Sequence, residues 1–245
     1  MDLAQARDLH DATTARLRRR LARLARIALF AVVGALVLRA LFYAPFSIPS
    51  RSMAPSLVPG DTVFVAKWPY GYGVHTLPLG PQLLGIDGTK RLFAHTPGRG
   101  EVIVFKTPRD NRTNFIKRVV GLPGDRVEIR QRKLWLNGAP LGYGSACPGE
   151  PCGLLLEVLP GPAGRTITIR ADAADAMAPF GPVVVPAGML FLLGDNRGAS
   201  ADSRFPLAEG GIGMVPFANV LGRADIILFS TACPTRPLCR IGIPA

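Results

Sequence analysis

An apolar run near the N-terminus constrains this chain of 245 residues more than any other feature does. The segment IALFAVVGALVL, residues 27–38, carries no charge, and the following RALFYAPF extends it to residue 46 with a single interruption at Arg39. A mainly apolar stretch of about 20 residues can cross a bilayer as a helix, and an arginine toward one end can reach the headgroups. We therefore predict one transmembrane anchor over residues 27–46.

The charges that flank this run predict its orientation. Cytoplasmic segments are enriched in Lys and Arg, so residues 1–26 should form a basic cytoplasmic tail and residues 47–245 should be exported. A cleaved secretory signal is the alternative, but no convincing small-x-small cleavage site follows the run, and Pro45 and Pro49 disfavour cleavage there. Seven arginines and three aspartates precede Ile27; the arginines are Arg7, Arg16, Arg18, Arg19, Arg20, Arg23 and Arg26.

The overall charge is strongly basic, with a formal net charge of +12. A basic surface can bind nucleic acid, but the sequence contains no nucleic-acid-binding motif and aromatic residues make up only 7% of it. Attraction to anionic lipid headgroups is the simpler interpretation for a chain with a membrane segment. We therefore expect membrane lipid, and no nucleic acid, among the partners.

The four cysteines form two close pairs in Pro-rich segments, CPGEPC (Cys147, Cys152) and CPTRPLC (Cys233, Cys239). A single zinc site would use all four, but these spacings are looser than those of the usual zinc motifs. Local disulfides are the alternative, and the oxidising exported side favours them. We therefore treat the four cysteines as disulfide candidates and predict no metal site.

The exported part has the pattern of a β domain. Short segments rich in Val, Ile and Phe are bounded by Gly, Pro or Asp, and several of them alternate apolar and polar residues. Residues 69–98 have the composition of a long irregular loop, and residues 171–180 could form a helical turn or two. We predict a mainly β fold, a folded sheet or partly open barrel, with a Cys-containing insertion at about 137–186. The predicted strand segments are DTVFVAK, GEVIVFK, FIKRVVG, DRVEIRQRKLWLNG, RTITIRA, GMLFLLGD and ADIILFS.

The residues available for hydrolytic chemistry argue against a Ser-His-Asp triad. Of the three histidines, His10 lies in the predicted tail, and His75 and His95 lie in the irregular loop. A serine nucleophile would then need another base, and a lysine held neutral by burial can serve. Lys117, in NFIKRVVGLPGD, is the best candidate. Strand alternation predicts that one of Lys117 and Arg118 faces the apolar side and the other faces solvent, and a strand lysine is usually solvated.

Four blocks, in order, give the chain a resemblance to bacterial type I signal peptidases, the membrane-bound Ser-Lys endopeptidases that remove signal peptides from exported proteins. IPSRSMAPSL resembles the nucleophile block and GDTVFVAK the strand after it. GRGEVIVF with NFIKRVVGLPGD resembles the lysine block, and GDNRGASADSR the last block. With the anchor and GMVPFANVLGRA, the resemblance covers most of residues 20–230.

The resemblance implies a role for each matching residue. Ser52 would be the nucleophile and Lys117 the general base, in a signal-peptidase-like folded β-sheet ectodomain on a single N-terminal transmembrane helix. Ser50 would complete the oxyanion hole with the Ser52 backbone N–H, and Ser200 would hydrogen-bond and orient the lysine. Further residues would brace the site (Asp195, Asn196, Asp202 and Arg204) or line shallow apolar pockets for small substrate residues at −1 and −3 (Phe46, Ile48 and Ile116).

The resemblance also implies no cofactor, signal peptides of exported preproteins as substrates, and a bacterial inner (plasma) membrane location with a periplasmic catalytic domain. Two positions depart from the family pattern. Arg51 stands where Gly is usual between the two serines, which matters if φ is positive there. Gly198 and Ala199 stand where acidic or amide residues are common. Three rival interpretations remain: a specialised conjugation- or pilin-type maturation peptidase, a catalytically silent membrane-anchored β scaffold, and a self-cleaving repressor with the same Ser-Lys fold.

Overall fold

A computed structural model gives the architecture. It describes residues 3–76, 91–148, 152–161, 164–233, 236 and 238–244, with side chains for residue 16 and from residue 18 onward. The chain divides into two compact units, Met1–Phe42 and Tyr43–Ala245. Much of the predicted irregular loop, residues 77–90, lies outside the described residues.

The first unit is a single helix, α1, over Leu3–Leu41. An 18-residue window within Arg18–Leu41 has a mean hydropathy of 2.1, and this part of the helix is long and apolar enough to cross a membrane. The end of the predicted anchor was wrong, because residues 43–46 are not helical, whereas its start at residue 27 stays a prediction. The helix continues through the arginine-rich segment without a break, and it ends at Leu41 rather than Phe46. Tyr43–Ser47 instead forms the first strand, because its backbone pairs with the next strand and alternates exposed and inward side chains.

The second unit is mainly β, which confirms the predicted fold class. Short 3-10 helices, Trp68–Tyr70, Leu207–Glu209 and Phe217–Asn219, interrupt it. The strands, in chain order, are β1 Tyr43–Ser47, β2 Asp61–Ala66, β3 Val102–Lys106, β4 Asn114–Gly121, β5 Arg126–Arg130, β6 Lys133–Leu136, β7 Ala139–Pro140, β8 Gly142–Ser145, β9 Leu154–Leu159, β10 Arg165–Arg170, β11 Phe180–Val184, β12 Met189–Leu193, β13 Val215–Pro216 and β14 Val220–Ser230.

Three sheets make up this unit. The largest has seven strands in the order β1-β2-β14-β3-β4-β12-β13, and the strands pair antiparallel. A four-stranded sheet, β11-β5-β6-β7, and a three-stranded sheet, β10-β9-β8, are built from residues between β4 and β12. The predicted Cys-containing insertion contributes β7 to β11 to these smaller sheets. Residues 171–180 form turns rather than a helix, up to the start of β11.

Strand β4 lies between β3 and β12 in the large sheet, and both of its faces are covered. Val119 packs in a core cluster with Ile103 and Leu190, whereas the next residue, Val120, packs in a different cluster with Val127 and Phe191. A strand buried on both faces has no solvated side on which to place a charge. Lys117 and Arg118, which precede Val119 on this strand, therefore both lie in a buried environment.

Candidate active site

The turn that connects β1 to β2 carries Ser52. Its two ends are joined by backbone hydrogen bonds, from Ile48 N to Asp61 O at 2.8 Å and from Gly60 N to Ile48 O at 3.0 Å. Met53 and Leu57 are fully buried and anchor the turn in a small apolar cluster. Ser52 itself is 9% exposed. The turn therefore holds the Ser52 side chain against the sheet.

Lys117 reaches Ser52 from β4. Its Nζ lies 2.9 Å from Ser52 Oγ and donates a second hydrogen bond to the carbonyl of Ile116 at 3.0 Å. The side chain is only 3% exposed. The structure thus brings together the two residues that the sequence predicted as nucleophile and base, which lie 65 positions apart.

Burial lowers the pKa of Lys117 to about 8, because desolvation destabilises the ammonium. The carboxylates of Asp202 and Asp195 act in the opposite direction and favour the charged form. Desolvation outweighs them, since both aspartates already form ion pairs with arginines. A substantial fraction of the amine is therefore neutral just above neutral pH and can accept a proton from Ser52.

Ser50 lies next to the nucleophile, with its Oγ 3.2 Å from Ser52 Oγ. This distance is compatible with the predicted place of the Ser50 hydroxyl in an oxyanion hole. Arg51, between the two serines, is not among the described residues with positive φ. The turn therefore does not require glycine at this position, and the arginine side chain is exposed.

The segment after β12 fixes the backbone of the nucleophile turn. Asn196 donates its backbone N–H to Ser52 O at 3.1 Å and its side-chain amide to Arg51 O at 3.2 Å. Asp195 is fully buried and accepts two hydrogen bonds from Arg118, at 2.7 and 2.6 Å. Two predicted bracing residues thus connect the turn to the strand that carries the lysine.

The expectation that one of Lys117 and Arg118 faces solvent was wrong. Arg118 is 1% exposed, and it is held by the carboxylate of Asp195 and the carbonyl of Gly100. The two side chains leave opposite faces of β4, but both faces are covered. Burial of the arginine is possible because its charge is paired and its donors are satisfied.

Ser200 is buried beside the site but makes no hydrogen bond to Lys117, so this geometry does not contain the predicted orienting contact. Its Oγ lacks a hydrogen-bond partner among the described residues. The lysine amine is instead held by Ser52 and by the Ile116 carbonyl. Gly194 packs closely against Ser200 and Ser52. A Cβ at this position would lie 2.2 Å from Ser200 Oγ and 2.5 Å from Ser52 O, so only glycine fits between them.

Asp202 and Arg204 form a buried pair, as the bracing role requires. Arg204 donates to both carboxylate oxygens of Asp202, at 2.8 and 2.9 Å, and to the carbonyls of Ala176 and Arg197. Asp202 also accepts the backbone N–H of Gly194 at 3.1 Å. The pair therefore fixes the loop from Gly194 to Arg204, which carries Ser200 and contacts the backbone of Ser52.

Sequence reasoning missed a third buried ion pair, which joins this loop to β9. Arg197 donates two hydrogen bonds to Glu157 of β9, at 2.8 and 2.6 Å, and a third to the carbonyl of Gly194 at 3.1 Å. Tyr143 of β8 also donates to Glu157 at 2.7 Å. The sequence did carry a signal for a buried charge. Glu157 is the one charged residue of the otherwise apolar strand β9, and it lies two positions before Leu159, so both side chains point to the same, buried side of the strand.

The three predicted pocket residues belong to two apolar clusters that share Ile116. Ile48 and Ile116 share a small apolar cluster, and Ile116 also packs in the cluster that includes Phe46. Phe46 is on β1, and Ile116 directly precedes Lys117 on β4. Ile48 is 4% exposed, whereas Phe46 and Ile116 are half-buried, and their role as a substrate pocket stays a prediction.

The cysteines form two disulfides, Cys147–Cys152 and Cys233–Cys239. Within the part of the chain that the structure describes, no group of three or more His, Cys, Asp or Glu residues is placed to hold a metal ion.

Comparison with known proteins decides the family. The profile of the family described as "Signal peptidase, peptidase S26" matches residues 21–229. The chain belongs to this signal peptidase family. It is therefore an enzyme, a membrane-anchored peptidase that cleaves signal peptides, and not a silent scaffold.

Two Rickettsia relatives agree with this assignment. The signal peptidase I of Rickettsia typhi is 35% identical over 214 residues, covering 82% of this chain and 78% of that protein. The signal peptidase I of Rickettsia prowazekii is 34% identical with the same coverage. A crystal structure of a signal peptidase I from Enterococcus faecalis is 30% identical and covers 53% of this chain and 97% of that one, with a TM-score of 0.33.

Proposed function

We propose that the enzyme cleaves signal peptides of exported preproteins with a Ser52–Lys117 dyad. The observation that carries this proposal is the buried 2.9 Å contact between Ser52 Oγ and a lysine amine whose pKa is lowered to about 8. Lysine is a general base only when it is neutral, and burial provides that condition. Cleavage of a preprotein in detergent micelles, with dyad variants compared, tests the proposal.

The chemistry follows from this geometry. The neutral amine of Lys117 takes the Ser52 proton as Oγ attacks the scissile carbonyl carbon, and the electron pair of the C=O bond moves to oxygen. The Ser52 N–H and the Ser50 hydroxyl donate to that oxyanion. Lys117 then gives its proton to the departing amine, which leaves an ester on Ser52. A water molecule, deprotonated by Lys117, hydrolyses the ester and restores both residues.

Substrate selection is proposed to depend on the apolar surface formed by Phe46, Ile48 and Ile116. A shallow surface of this kind accommodates small side chains at the −1 and −3 positions of the substrate and has no depth for bulky ones. We expect a preprotein with Ala at −1 to be cleaved and its Phe −1 variant to lose at least about 100-fold in kcat/KM. Gel assays on the two substrates measure this ratio, and equal cleavage of both would contradict the proposed pocket.

The orientation is proposed from the arginines that precede the span. With the N-terminus in the cytoplasm, the β domain lies on the exported side, where the two disulfides are stable. A periplasmic phosphatase reporter fused after Ala245 should be active in a bacterial host, whereas a reporter that needs the cytoplasm should be inactive there. The reverse pattern would overturn the orientation.

A further inference from the structure

The segment that follows β14 lies against the nucleophile turn, beyond residue 229, where the family match ends. We name its described residues, 233, 236 and 238–244, the C-terminal strap. Arg240 of the strap donates Nε to both carboxylate oxygens of Asp61, at 3.0 and 3.2 Å. Its Nη2 donates to Pro55 O at 3.3 Å and to Ser56 O at 3.0 Å. One guanidinium thus holds the end of the turn and its middle.

Asp61 explains why a cation is needed at this position. Its side chain is fully buried, and it accepts the backbone N–H of Val58 at 2.9 Å from inside the turn. A buried carboxylate is stable only when its charge is paired, and Arg240 supplies the pairing charge from the half-buried side. The strap therefore neutralises the residue that ends the nucleophile turn.

Ser56 is held from two directions. Its carbonyl accepts from Arg240, and its hydroxyl accepts from Nη2 of Arg118 at 3.1 Å. Arg118 neighbours Lys117 on β4, and Ser56 lies four residues after Ser52. The two arginines together fix the turn relative to the strand that carries the base.

Two connections keep Arg240 in place. Cys239, the residue before it, is bonded to Cys233, three residues beyond the end of β14. On the other side, Gly242 pairs with Ile227 of β14 through backbone hydrogen bonds of 2.7 and 3.4 Å. The disulfide and the β-bridge therefore anchor the short segment that carries Arg240 on both sides of this residue.

From these contacts we infer that Arg240 is a positioning residue for Ser52 and that the Cys233–Cys239 disulfide keeps it on the turn. The inference rests on the proposed role of Ser52 as the nucleophile. Arg240 touches no reacting atom, so it acts only through the path of the turn. Small displacements of a nucleophile reduce the rate of attack more than they reduce substrate binding.

The first test is steady-state cleavage of a preprotein by the full-length enzyme in detergent, well below each variant's unfolding midpoint. We expect Arg240→Gln to lose about tenfold in kcat with KM within about twofold of wild type. Arg240→Lys should retain most of kcat, because an ammonium still neutralises Asp61. The pH midpoint of activity should not move, since Arg240 does not contact Lys117. A purely structural role would lower the unfolding midpoint and leave kcat of the folded enzyme unchanged.

The second test concerns the disulfide. Cys233→Ser with Cys239→Ser should reduce kcat to about the same extent as Arg240→Gln, and the triple variant should show no further loss, because both changes release the same contact. The matched control, Cys147→Ser with Cys152→Ser, should retain wild-type kcat. If Arg240→Gln does not fold, Arg240→Lys and the paired cysteine variants still test the link.

Wild-type kcat in Arg240→Gln would overturn the inference, and so would losses that multiply in the triple variant. A variant with Ser52→Ala separates this failure from that of the proposed function. If Ser52→Ala is inactive while Arg240→Gln is fully active, only the positioning role fails. If Ser52→Ala is active, the dyad itself is wrong.

Discussion

Replacing Ser52 with alanine should reduce preprotein cleavage to the background rate, a loss of at least about 10⁴-fold in kcat. The change removes a single oxygen from a side chain that is 9% exposed, and the turn keeps its buried anchors Met53 and Leu57. The variant should therefore fold and remain in the membrane fraction. Cleavage in detergent, with unfolding followed by circular dichroism, measures both properties.

Ser145→Ala is the matched control for this prediction, because Ser145 lies on the exposed strand β8 outside the proposed machinery. It should retain wild-type activity. Substantial cleavage by the folded Ser52→Ala enzyme would move the nucleophile to another serine of the turn, with Ser50 and Ser56 as the candidates.

Replacing Lys117 has the second large expected effect. Lys117→Met keeps the length of the side chain and suits its buried position, but it removes the base, so kcat should again fall by at least about 10⁴-fold. Lys117→Arg should be similarly inactive, because a guanidinium stays charged and cannot accept the Ser52 proton. Single-turnover cleavage at high enzyme concentration measures rates this low.

Lys133→Met is the control for the lysine series, since Lys133 also lies in a strand but is exposed. It should cleave at the wild-type rate. Near-normal activity in folded Lys117→Met would be incompatible with Lys117 as the base.

Much of the candidate site could be predicted from the sequence, because its residues occupy short ordered blocks. The turn with Ser50 and Ser52, the strand with Lys117, and the loop from Asp195 to Arg204 each have a local signature. Apolar alternation located most strands of the large sheet. It missed β1, since the apolar run continues from the helix into Tyr43–Ser47 without a change in composition.

What could not be predicted depends on contacts between distant parts of the chain. Strand alternation placed one of Lys117 and Arg118 in solvent, because the pattern of one strand does not show that both of its faces are covered. The Arg197–Glu157 pair joins residues 40 positions apart, and the Arg240–Asp61 pair joins residues 179 apart. No local periodicity encodes pairings of this kind. The missing Ser200–Lys117 contact shows that a shared block order does not determine every hydrogen bond.

The dyad is tested most directly by the pH dependence of kcat/KM for the wild-type enzyme. Lys117 is inactive as a base when protonated, so activity should rise with pH as the amine loses its proton. Since burial lowers the pKa of Lys117 to about 8, the rising limb should have its midpoint near that value. A midpoint near about 10.4, the ordinary pKa of lysine, or near about 6.5, that of histidine, would contradict the assignment of Lys117 as the base.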